Sequence, residues 1–372
     1  MSAPRLELDL AAVQHNTSAL VAALDPLGIA VTGVTKAVLG SPAVAEAMLG
    51  AGAVRLGDSR VENLERLRRS GITAETMLIR APMRTQVDRA VAVADIVCAT
   101  ESSLVDALST AALAAGGIQQ VVVMVDLGDR REGVLPVEVA TLARRVLELP
   151  GVRLHGIGTN LACQNGVCPD PTNMAMLSAL ADDVESELGV TLALVSGGNS
   201  ANLEWALSGP TAGIGRVNDL RLGEAILLGR ETLHRRPLAG LRTDAVSLVA
   251  EVIESKAKPS APVGRIAQTA FGRADPQPVD DAVTARTIVA LGHQDVDPAG
   301  LEPPPAVQIL GASSDHLVVA TPELLDVGAE IRFGVDYSAL LRAMTSPFVE
   351  HLLAPAARPA SSVAGSPGSA PS

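Results

Sequence analysis

The chain has 372 residues, a net charge of −12 and a pI near 5.0, with 48% hydrophobic and 1% aromatic residues. Phosphate backbones and anionic lipid surfaces select basic patches, and unpaired bases stack on aromatic rings, so this composition argues against nucleic-acid and membrane partners. The length exceeds one typical domain of ~100–200 residues, which predicts two domains or one barrel with an addition.

Short β-branched segments alternate with longer Ala-, Leu- and Arg-rich stretches over the first two thirds of the chain. The predicted strands are 30–36, 54–58, 76–81, 95–99, 120–127, 153–160, 191–198 and 220–229. Eight such β/α units predict a (β/α)8 barrel of the TIM type within residues 1–240. A doubly wound sheet is the alternative, but its glycine-rich phosphate turn after the first strand is missing.

From about residue 241 the pattern changes to short alternating runs that are separated by Pro and Gly clusters. These runs are 245–253, 285–292, 306–310 and 317–320. They predict a smaller, mostly β C-terminal domain over 241–353, with which residues 1–10 are expected to pair through the segment 5–9. The Ala-, Pro-, Ser- and Gly-rich residues 354–372 cannot bury a core, so we expect a disordered tail.

Cys98, Cys163 and Cys168 are an odd number of cysteines in a large chain. With no signal peptide and no apolar run long enough to span a bilayer, the sequence predicts a soluble, cytoplasmic, reduced protein. The C-x4-C pair has no second pair or histidine cluster nearby, so structural thiols are favoured and no metal site is predicted.

Positive charge is carried almost entirely by arginine, with 26 arginines against three lysines, Lys36, Lys256 and Lys258. Arginine can replace a structural lysine but cannot form an imine, so a lysine in this chain is informative. Lys36 ends the first predicted strand, and the active site of such a barrel lies at the C-terminal ends of its strands. Lys36 is therefore a candidate reactive amine, whereas Lys256 and Lys258 lie in a polar run beside a proline that predicts a solvated turn.

A second group of candidates follows the seventh and eighth predicted strands. It comprises Ser196, Gly198, Asn199 and Ser200 in the segment SGGNS, and Arg221, Gly223 and Glu224 in the segment RLGE. Glycines let backbone amides approach an anion, and loops after strands seven and eight of such barrels commonly hold a phosphate. A reactive lysine facing a phosphate cradle is the arrangement that pyridoxal phosphate requires, so this cofactor is predicted.

These residues belong to motifs by which the chain resembles the fold-type III pyridoxal phosphate enzymes. Within them it is similar to the alanine racemase superfamily, and most to the ornithine racemase group. The motifs cover nearly the whole chain except the tail. They are VTK at 34–36, DSRVENL at 58–64, VDLGDRREG at 125–133, GIGTNLAC at 156–163, SGGNS at 196–200, RLGEAILLGRET at 221–232, HQDVD at 293–297 and MTSPF at 344–348.

The resemblance implies roles for individual residues of the barrel. Lys36 matches the lysine that forms the internal aldimine and transfers one proton. Arg221 matches the arginine beside the pyridine nitrogen, where its permanent charge keeps that nitrogen unprotonated. Ser200 and the backbone amides of Gly223 and Glu224 match the phosphate site. Arg131 matches the arginine that contacts the phenolic oxygen of the cofactor and orients the substrate.

The family pattern also implies how the remaining cofactor contacts are made. Asn160 stands where alanine racemases have a ring-stacking histidine, a departure shared with the ornithine racemase group. Tyr337, the only tyrosine, falls near the C-terminal tyrosine that alanine racemases use at the phosphate.

The resemblance does not identify the residue that transfers the proton on the face opposite Lys36. Alanine racemases take it from a tyrosine of the partner subunit, but Phe271 stands at the matching position and cannot carry a proton. Tyr337, His293, Asp295 and Asp315 are the candidates, and a structural role is an equal alternative for each. Ser314 and Asp315 match a segment that meets the substrate carboxylate.

The resemblance implies a racemase that interconverts L- and D-amino acids, with ornithine or another basic amino acid as substrate. Two alternatives are a decarboxylase or aldolase of the same fold and a non-catalytic pyridoxal phosphate carrier or regulator. The decarboxylases of this fold have longer chains and a cysteine motif that is not found here, and the carriers are barrels alone. The family further implies a head-to-tail homodimer.

Overall fold

Eight parallel strands close into a barrel in the computed structural model, which describes residues 3–208, 213–272 and 283–354. The barrel strands are β2 (Ala30–Val34), β3 (Arg55–Asp58), β4 (Thr76–Leu78), β5 (Ile96–Ala99), β6 (Gln119–Val125), β7 (Val152–Thr159), β8 (Leu194–Ser196) and β9 (Asp219–Leu222). The barrel closes where β9 pairs in parallel with β2, with Ala30 opposite Asp219 and Thr32 opposite Arg221. The predicted (β/α)8 barrel is confirmed, and closure excludes a doubly wound sheet.

Helices cover the outside of the barrel between successive strands. They are α1 (Leu10–Leu24), α2 (Pro42–Gly50), α3 (Val61–Arg69), α4 (Val87–Val93), α5 (Ser102–Ala114), α6 (Val139–Glu148), α7 (Pro171–Leu188), α8 (Asn202–Ser208) and α9 (Glu224–Leu228). Inside the barrel, aliphatic and sulfur-containing side chains form a buried cluster of Met77, Ile96, Cys98, Val122, Met124 and Leu194. The barrel is therefore a packed core, and chemistry is left to the strand ends.

The predicted strand 220–229 is too long at its C-terminal end. The strand ends at Leu222, and Glu224–Leu228 form α9 instead. Gly223, with φ −129° and ψ −60°, is the N-cap residue of that helix. A short, fully buried apolar run such as AILL carries no periodicity that separates a strand from a helix, which explains the error.

The second domain is built on an antiparallel sheet, in agreement with the predicted mostly β C-terminal unit. Its strands are β10 (Val246–Pro259), β11 (Val283–Val289), β12 (Leu301–Glu302), β13 (Gln308–Ala312), β14 (Leu317–Thr321), β15 (Glu330–Val335) and β16 (Glu350–Ala354). The N-terminal strand β1 (Arg5–Asp9) pairs antiparallel with β10 and parallel with β16. The segment 5–9 thus belongs to the sheet of the second domain, and the predicted tail after residue 354 lies outside the described residues.

Lys256 and Lys258 do not lie in a turn, contrary to the prediction. Both belong to β10, which runs on to Pro259 and pairs with β11. Their exposed ammonium groups both bind Glu254. The polar composition of ESKAKPS reflects an exposed strand end, and proline is tolerated there because it is the last residue of the strand.

Helix α10 (Tyr337–Thr345) connects the second domain to the barrel mouth. Asp336 caps it by accepting from the Ala339 backbone amide at 2.9 Å. The helix packs on the 3-10 turn Lys36–Val38 that follows β2. The second domain therefore places Tyr337 over the C-terminal ends of the barrel strands. No helix in the described ranges is long and apolar enough to cross a membrane.

Candidate active site

Lys36 lies directly after β2, at the C-terminal mouth of the barrel. The side chain is half-buried, and its Nζ is 5.5 Å from the centroid of the Tyr337 ring. The preceding residue fixes the strand end, because the Thr35 amide donates to the Gly57 carbonyl at 2.9 Å. The lysine predicted from its strand position is thus held in the mouth, beside an aromatic ring of the second domain.

Asp58 supports the Lys36 segment from the end of β3. Its buried carboxylate accepts from the Thr35 hydroxyl at 2.8 Å, from Asn63 Nδ2 at 3.0 Å and from the Arg60 amide at 2.9 Å. Burial raises the pKa of this carboxyl above its usual range, and the hydrogen bonds oppose that effect. Sequence analysis gave Asp58 no role. The signals available were its position at the end of a predicted strand and its place as the first residue of the DSRVENL motif.

Arg221 lies on β9 with its guanidinium buried beneath the mouth. One Nη donates to the Thr159 carbonyl at 2.6 Å and is 3.4 Å from Asn160 Oδ1, and the other donates to the Ser196 hydroxyl. Ser196 is itself fully buried. Its side chain therefore lies inside the barrel, under Arg221.

The segment after β8 is a tight loop that requires glycine. Gly198 has φ +145°, and a Cβ there would lie 2.1 Å from Asn202 Oδ1. Asn199 ties the loop to the end of β7, since its Nδ2 donates to Asn160 Oδ1 at 3.1 Å and to the Leu161 carbonyl at 2.8 Å. These contacts bring the SGGNS loop against Asn160, as expected for a cradle at the mouth.

Ser200 connects this loop to α9. Its hydroxyl oxygen accepts from the Ala225 amide at 3.1 Å, so the hydroxyl proton remains available to a ligand. Gly223 packs closely on β2, because a Cβ there would lie 3.1 Å from Val34 Cβ. The loop after β8 and the start of α9 thus converge close to the Lys36 segment.

The Glu224 side chain is buried between the barrel and the second domain, where it pairs with Arg235. Burial raises the pKa of this carboxyl to about 7. The negative charge of Asp336 acts in the same direction, and the charges of Arg235 and Lys36 oppose it. Glu224 is therefore close enough to Lys36 for their charges to interact.

Arg131 lies in the loop after β6 and is exposed. Its guanidinium pairs with Glu132, and Nη1 donates to Cys163 Sγ at 2.6 Å. The facing loop at 163–167 is organised by the buried Asp129, whose carboxylate accepts four backbone amides. Burial alone would raise the pKa of Asp129, but these amides lower it below the usual range. The arginine is thus positioned from two sides.

Neither Cys163 nor Cys168 belongs to a metal-like cluster in the described part of the chain. The three side chains there whose ligand atoms come within 4.8 Å of one another are Glu204, Glu231 and His234. Glu231 is already used, because its carboxylate accepts the backbone amides of Leu233, His234 and Arg236.

The candidates of the second domain lie on two adjoining loops. The His293 amide donates to the Ser313 carbonyl at 3.0 Å, and the Gln294 amide to the Ser314 carbonyl at 2.8 Å. Asp295 is buried and accepts from the Gly292 amide at 2.9 Å, and its pKa is raised by burial and by the neighbouring Asp315. His293, Ser314 and Asp315 therefore lie on adjoining loops at the surface, with Asp295 buried beneath them.

The His293 ring packs against Phe271, with ring centroids 3.9 Å apart. An open cleft of about 550 Å³ begins at His293 and runs along α10 past Ser338 and Arg342. Of the four candidate proton carriers, Tyr337 is the one that lies beside Lys36 of the same chain. His293 belongs to the cleft and to the exposed surface around Phe271.

Comparison with known proteins identifies relatives along the whole chain. The family model "alanine racemase, N-terminal domain" matches residues 8–231. A lysine racemase of Thermotoga maritima is 36% identical over 355 residues, which are 95% of this chain and 99% of that protein. An ornithine racemase of Acetoanaerobium sticklandii is 37% identical over 298 residues, 79% of this chain and 83% of that protein.

Solved structures share the two-domain fold. An alanine racemase from Streptomyces coelicolor superposes with a TM-score of 0.72 at 20% identity, over 94% of this chain and 97% of that one. An alanine racemase from Bacillus anthracis gives 0.69 at 19% identity, over 92% of each chain. With a family model that covers most of the barrel and two relatives above 35% identity, the chain belongs to the alanine racemase family.

Proposed function

We propose that the chain is a pyridoxal-phosphate-dependent racemase that acts on a basic amino acid, with ornithine and lysine as the first substrates to test. The observation that carries the proposal is the convergence of Lys36, Arg221 and the SGGNS loop on one barrel mouth. The two relatives of highest identity described above are named for lysine and ornithine, which supports the choice of substrate class.

The residues at the mouth fit this cofactor. The Asn160 Nδ2 atom is buried and has no hydrogen-bond partner among the described residues, whereas its Oδ1 is occupied by Asn199 and Arg221. An unpaired buried donor is unfavourable unless a ligand covers it. A ligand with hydrogen-bond acceptors, such as pyridoxal phosphate, would satisfy this amide.

When bound, pyridoxal phosphate makes the Cα proton of an attached amino acid acidic. Lys36 is the residue of this chain that would bind the aldehyde until the substrate amine displaces it, and its freed amine would then take up or return the proton at Cα on one face. Helix α10 packs on the Lys36 turn and covers it from the second domain.

Arg221 would face the pyridine nitrogen. An arginine guanidinium is permanently charged, so it would keep the ring nitrogen unprotonated. The Ser200 hydroxyl, the amides of Gly223 and Glu224 and the phenol of Tyr337 would bind the phosphate. Arg131 would contact the phenolic oxygen and orient the substrate carboxylate.

A homodimer is part of the proposal, together with a cytoplasmic location. Residues 262–272 are exposed throughout, and this segment includes Val263 at 98%, Ile266 at 63% and Phe271 at 53%. Contiguous exposed apolar residues indicate an interaction surface. A second copy in head-to-tail contact would cover them and would bring the loops of His293 and Asp315, with Asp295 beneath them, toward a barrel mouth.

The proton carrier of the opposite face is proposed to come from Tyr337 or from these loops. Tyr337 lies next to Lys36, whereas His293 has an imidazole side chain, the commonest general acid–base group in enzymes. Substitution of each in turn, with isotope exchange at Cα followed separately for the L and D substrates, assigns the two faces. Loss of exchange from one enantiomer only identifies the carrier.

The direct test of the cofactor assignment is Lys36→Ala. We expect this variant to lose the absorbance near the edge of the visible range that the loaded wild-type protein shows, because the covalent link to the cofactor cannot form. Lys256→Ala, at an exposed strand position, is the matched control and is expected to keep it. Retained absorbance in Lys36→Ala would overturn the assignment.

A further inference from the structure

A carboxylate that no part of the proposed function uses lies beneath the active site. Asp219, the first residue of β9, is fully buried inside the barrel. Its Oδ1 accepts from the Thr32 hydroxyl at 2.5 Å and from Arg55 Nη1 at 2.8 Å. Its Oδ2 accepts from the Ser196 hydroxyl at 2.5 Å. One buried group thus receives three side-chain hydrogen bonds from three other strands.

The direction of these hydrogen bonds is fixed by chemistry. A serine hydroxyl has one proton, and an ionised carboxylate can only accept. Ser196 therefore donates to Asp219 and presents its lone pairs to Arg221, whose Nη1 donates to it. Ser196 thus links the two groups, accepting a hydrogen bond from the guanidinium and donating one to the carboxylate. A charge-assisted hydrogen bond of this kind is stronger than one between neutral groups.

The negative charge of Asp219 is balanced by Arg55 at the same end of the barrel. Arg55, the first residue of β3, is 13% exposed and also donates to Glu75 Oε2 at 2.8 Å. Thr32 lies between Arg55 and Arg221 in the sheet register, opposite both. A continuous polar path therefore crosses the barrel from Glu75 to Arg221.

Burying such a path of polar and charged groups costs free energy in a barrel core that is otherwise filled with apolar side chains. Buried ion pairs commonly contribute no more to stability than hydrophobic residues of the same volume. The path includes the guanidinium that is proposed to face the cofactor nitrogen, so it connects the buried carboxylate to the active site.

We propose that Asp219 is a positioning residue that acts through Ser196 on Arg221. It fixes the orientation of the guanidinium and moderates the positive potential that the cofactor nitrogen experiences. The proposal rests on the proposed function, since it requires pyridoxal phosphate in the mouth.

Two substitutions separate this role from a structural one. Ser196→Ala and Thr32→Val each remove one 2.5 Å hydrogen bond to the same carboxylate. Only Ser196→Ala disconnects Arg221. We expect Ser196→Ala to shift the absorbance maximum of the bound cofactor and the pH midpoint of its titration, and to lower kcat about tenfold to hundredfold with little change in KM. Thr32→Val is expected to lower stability similarly and to leave the spectrum unchanged.

Asp219→Asn is the second variant, and it keeps the shape while removing the charge. It is expected to change the spectrum in the same sense as Ser196→Ala. Equal spectra in Ser196→Ala and wild type, or equal shifts in Ser196→Ala and Thr32→Val, would overturn the inference. If wild type binds and racemises while Ser196→Ala is indistinguishable from it, only the inference fails. If wild type does not bind the cofactor, the proposed function fails with it.

Discussion

Glu224 is a buried carboxyl group in electrostatic contact with Lys36, and its ionisation makes the stability of the fold depend on pH. Burial raises its pKa from an ordinary 4.5 to about 7. Between these values the folded chain binds a proton that the unfolded chain has lost. The free energy of unfolding therefore falls as the pH rises from about 4.5 to about 7, and is constant above that range.

Glu224→Gln removes this proton from both states. In the cofactor-free protein we expect the wild type to lose about 1–3 kcal/mol of stability between pH 5 and pH 7.5 relative to Glu224→Gln. Urea unfolding at both pH values measures the difference. Glu204→Gln, at an exposed helix position, is the control and should follow the wild type. The same pH dependence in Glu224→Gln would show that another group is responsible.

At the residue scale, the sequence predicted those residues that can be recognised from their type, their position on a strand or their motif. Lys36 stood out by type and position, and Arg221 by its motif. Asp219 and Asp58 could not be found in this way, because their partners Thr32, Arg55 and Thr35 come from other strands. A buried hydrogen-bond network depends on the register between strands, and the spacing along the chain does not contain that register.

At the scale of elements, the loop after β8 depends on one backbone conformation. Gly198 has φ +145°, and a Cβ would meet the Asn202 side chain at 2.1 Å. Asn202 Oδ1 also accepts the Asn199 amide at 3.1 Å, so its displacement disturbs the whole loop.

Gly198→Ala is therefore expected to weaken cofactor binding. A backbone strain of about 1–3 kcal/mol corresponds to about a tenfold to hundredfold rise in the Kd for pyridoxal phosphate. Gly117→Ala is the control, because a Cβ there meets nothing within 4 Å. Equilibrium titration of the apoprotein by absorbance measures both. An unchanged Kd in Gly198→Ala would exclude this loop from the cofactor site.

The elements that the sequence placed correctly are those with a clear apolar period and turn signals at both ends, such as β6 and β7. The errors have a common physical origin in burial and exposure. The buried run AILL of α9 is apolar on every side, so its pattern does not separate a helix from a strand. The exposed end of β10 is polar on every side, so it lacks the alternation that identifies a strand. Helix α10 was not predicted, although its Asp336 cap is a recognisable start signal.

At the scale of the whole molecule, the exposed apolar segment 262–272 predicts the assembly state. Ile266→Asp places a charge in this surface and is expected to convert a dimer into a monomer, with loss of activity if the second copy completes the site. Val137→Asp is the matched control, because Val137 is even more exposed, at 87% against 63% for Ile266, but lies outside the segment. Sedimentation equilibrium measures the mass, and a monomeric wild type would contradict the proposed dimer.

The two-domain arrangement was predictable because each domain has its own pattern, eight β/α units and then a run of short strands. The contact between the two domains could not be predicted from the sequence. Contact between α10 and the Lys36 turn depends on tertiary packing, and so does the pairing of β1 with both β10 and β16. That packing brings Tyr337 to Lys36 and makes the mouth a product of both domains.

The most direct test of the central claim is proton exchange at Cα. The holoenzyme is incubated in D₂O with L-ornithine and, separately, L-lysine, while NMR follows the Cα proton and the optical rotation is recorded. The account predicts deuterium at Cα, decay of the rotation to zero and full retention of the carboxylate. Formation of the corresponding diamine, or no exchange with any basic amino acid, would contradict it.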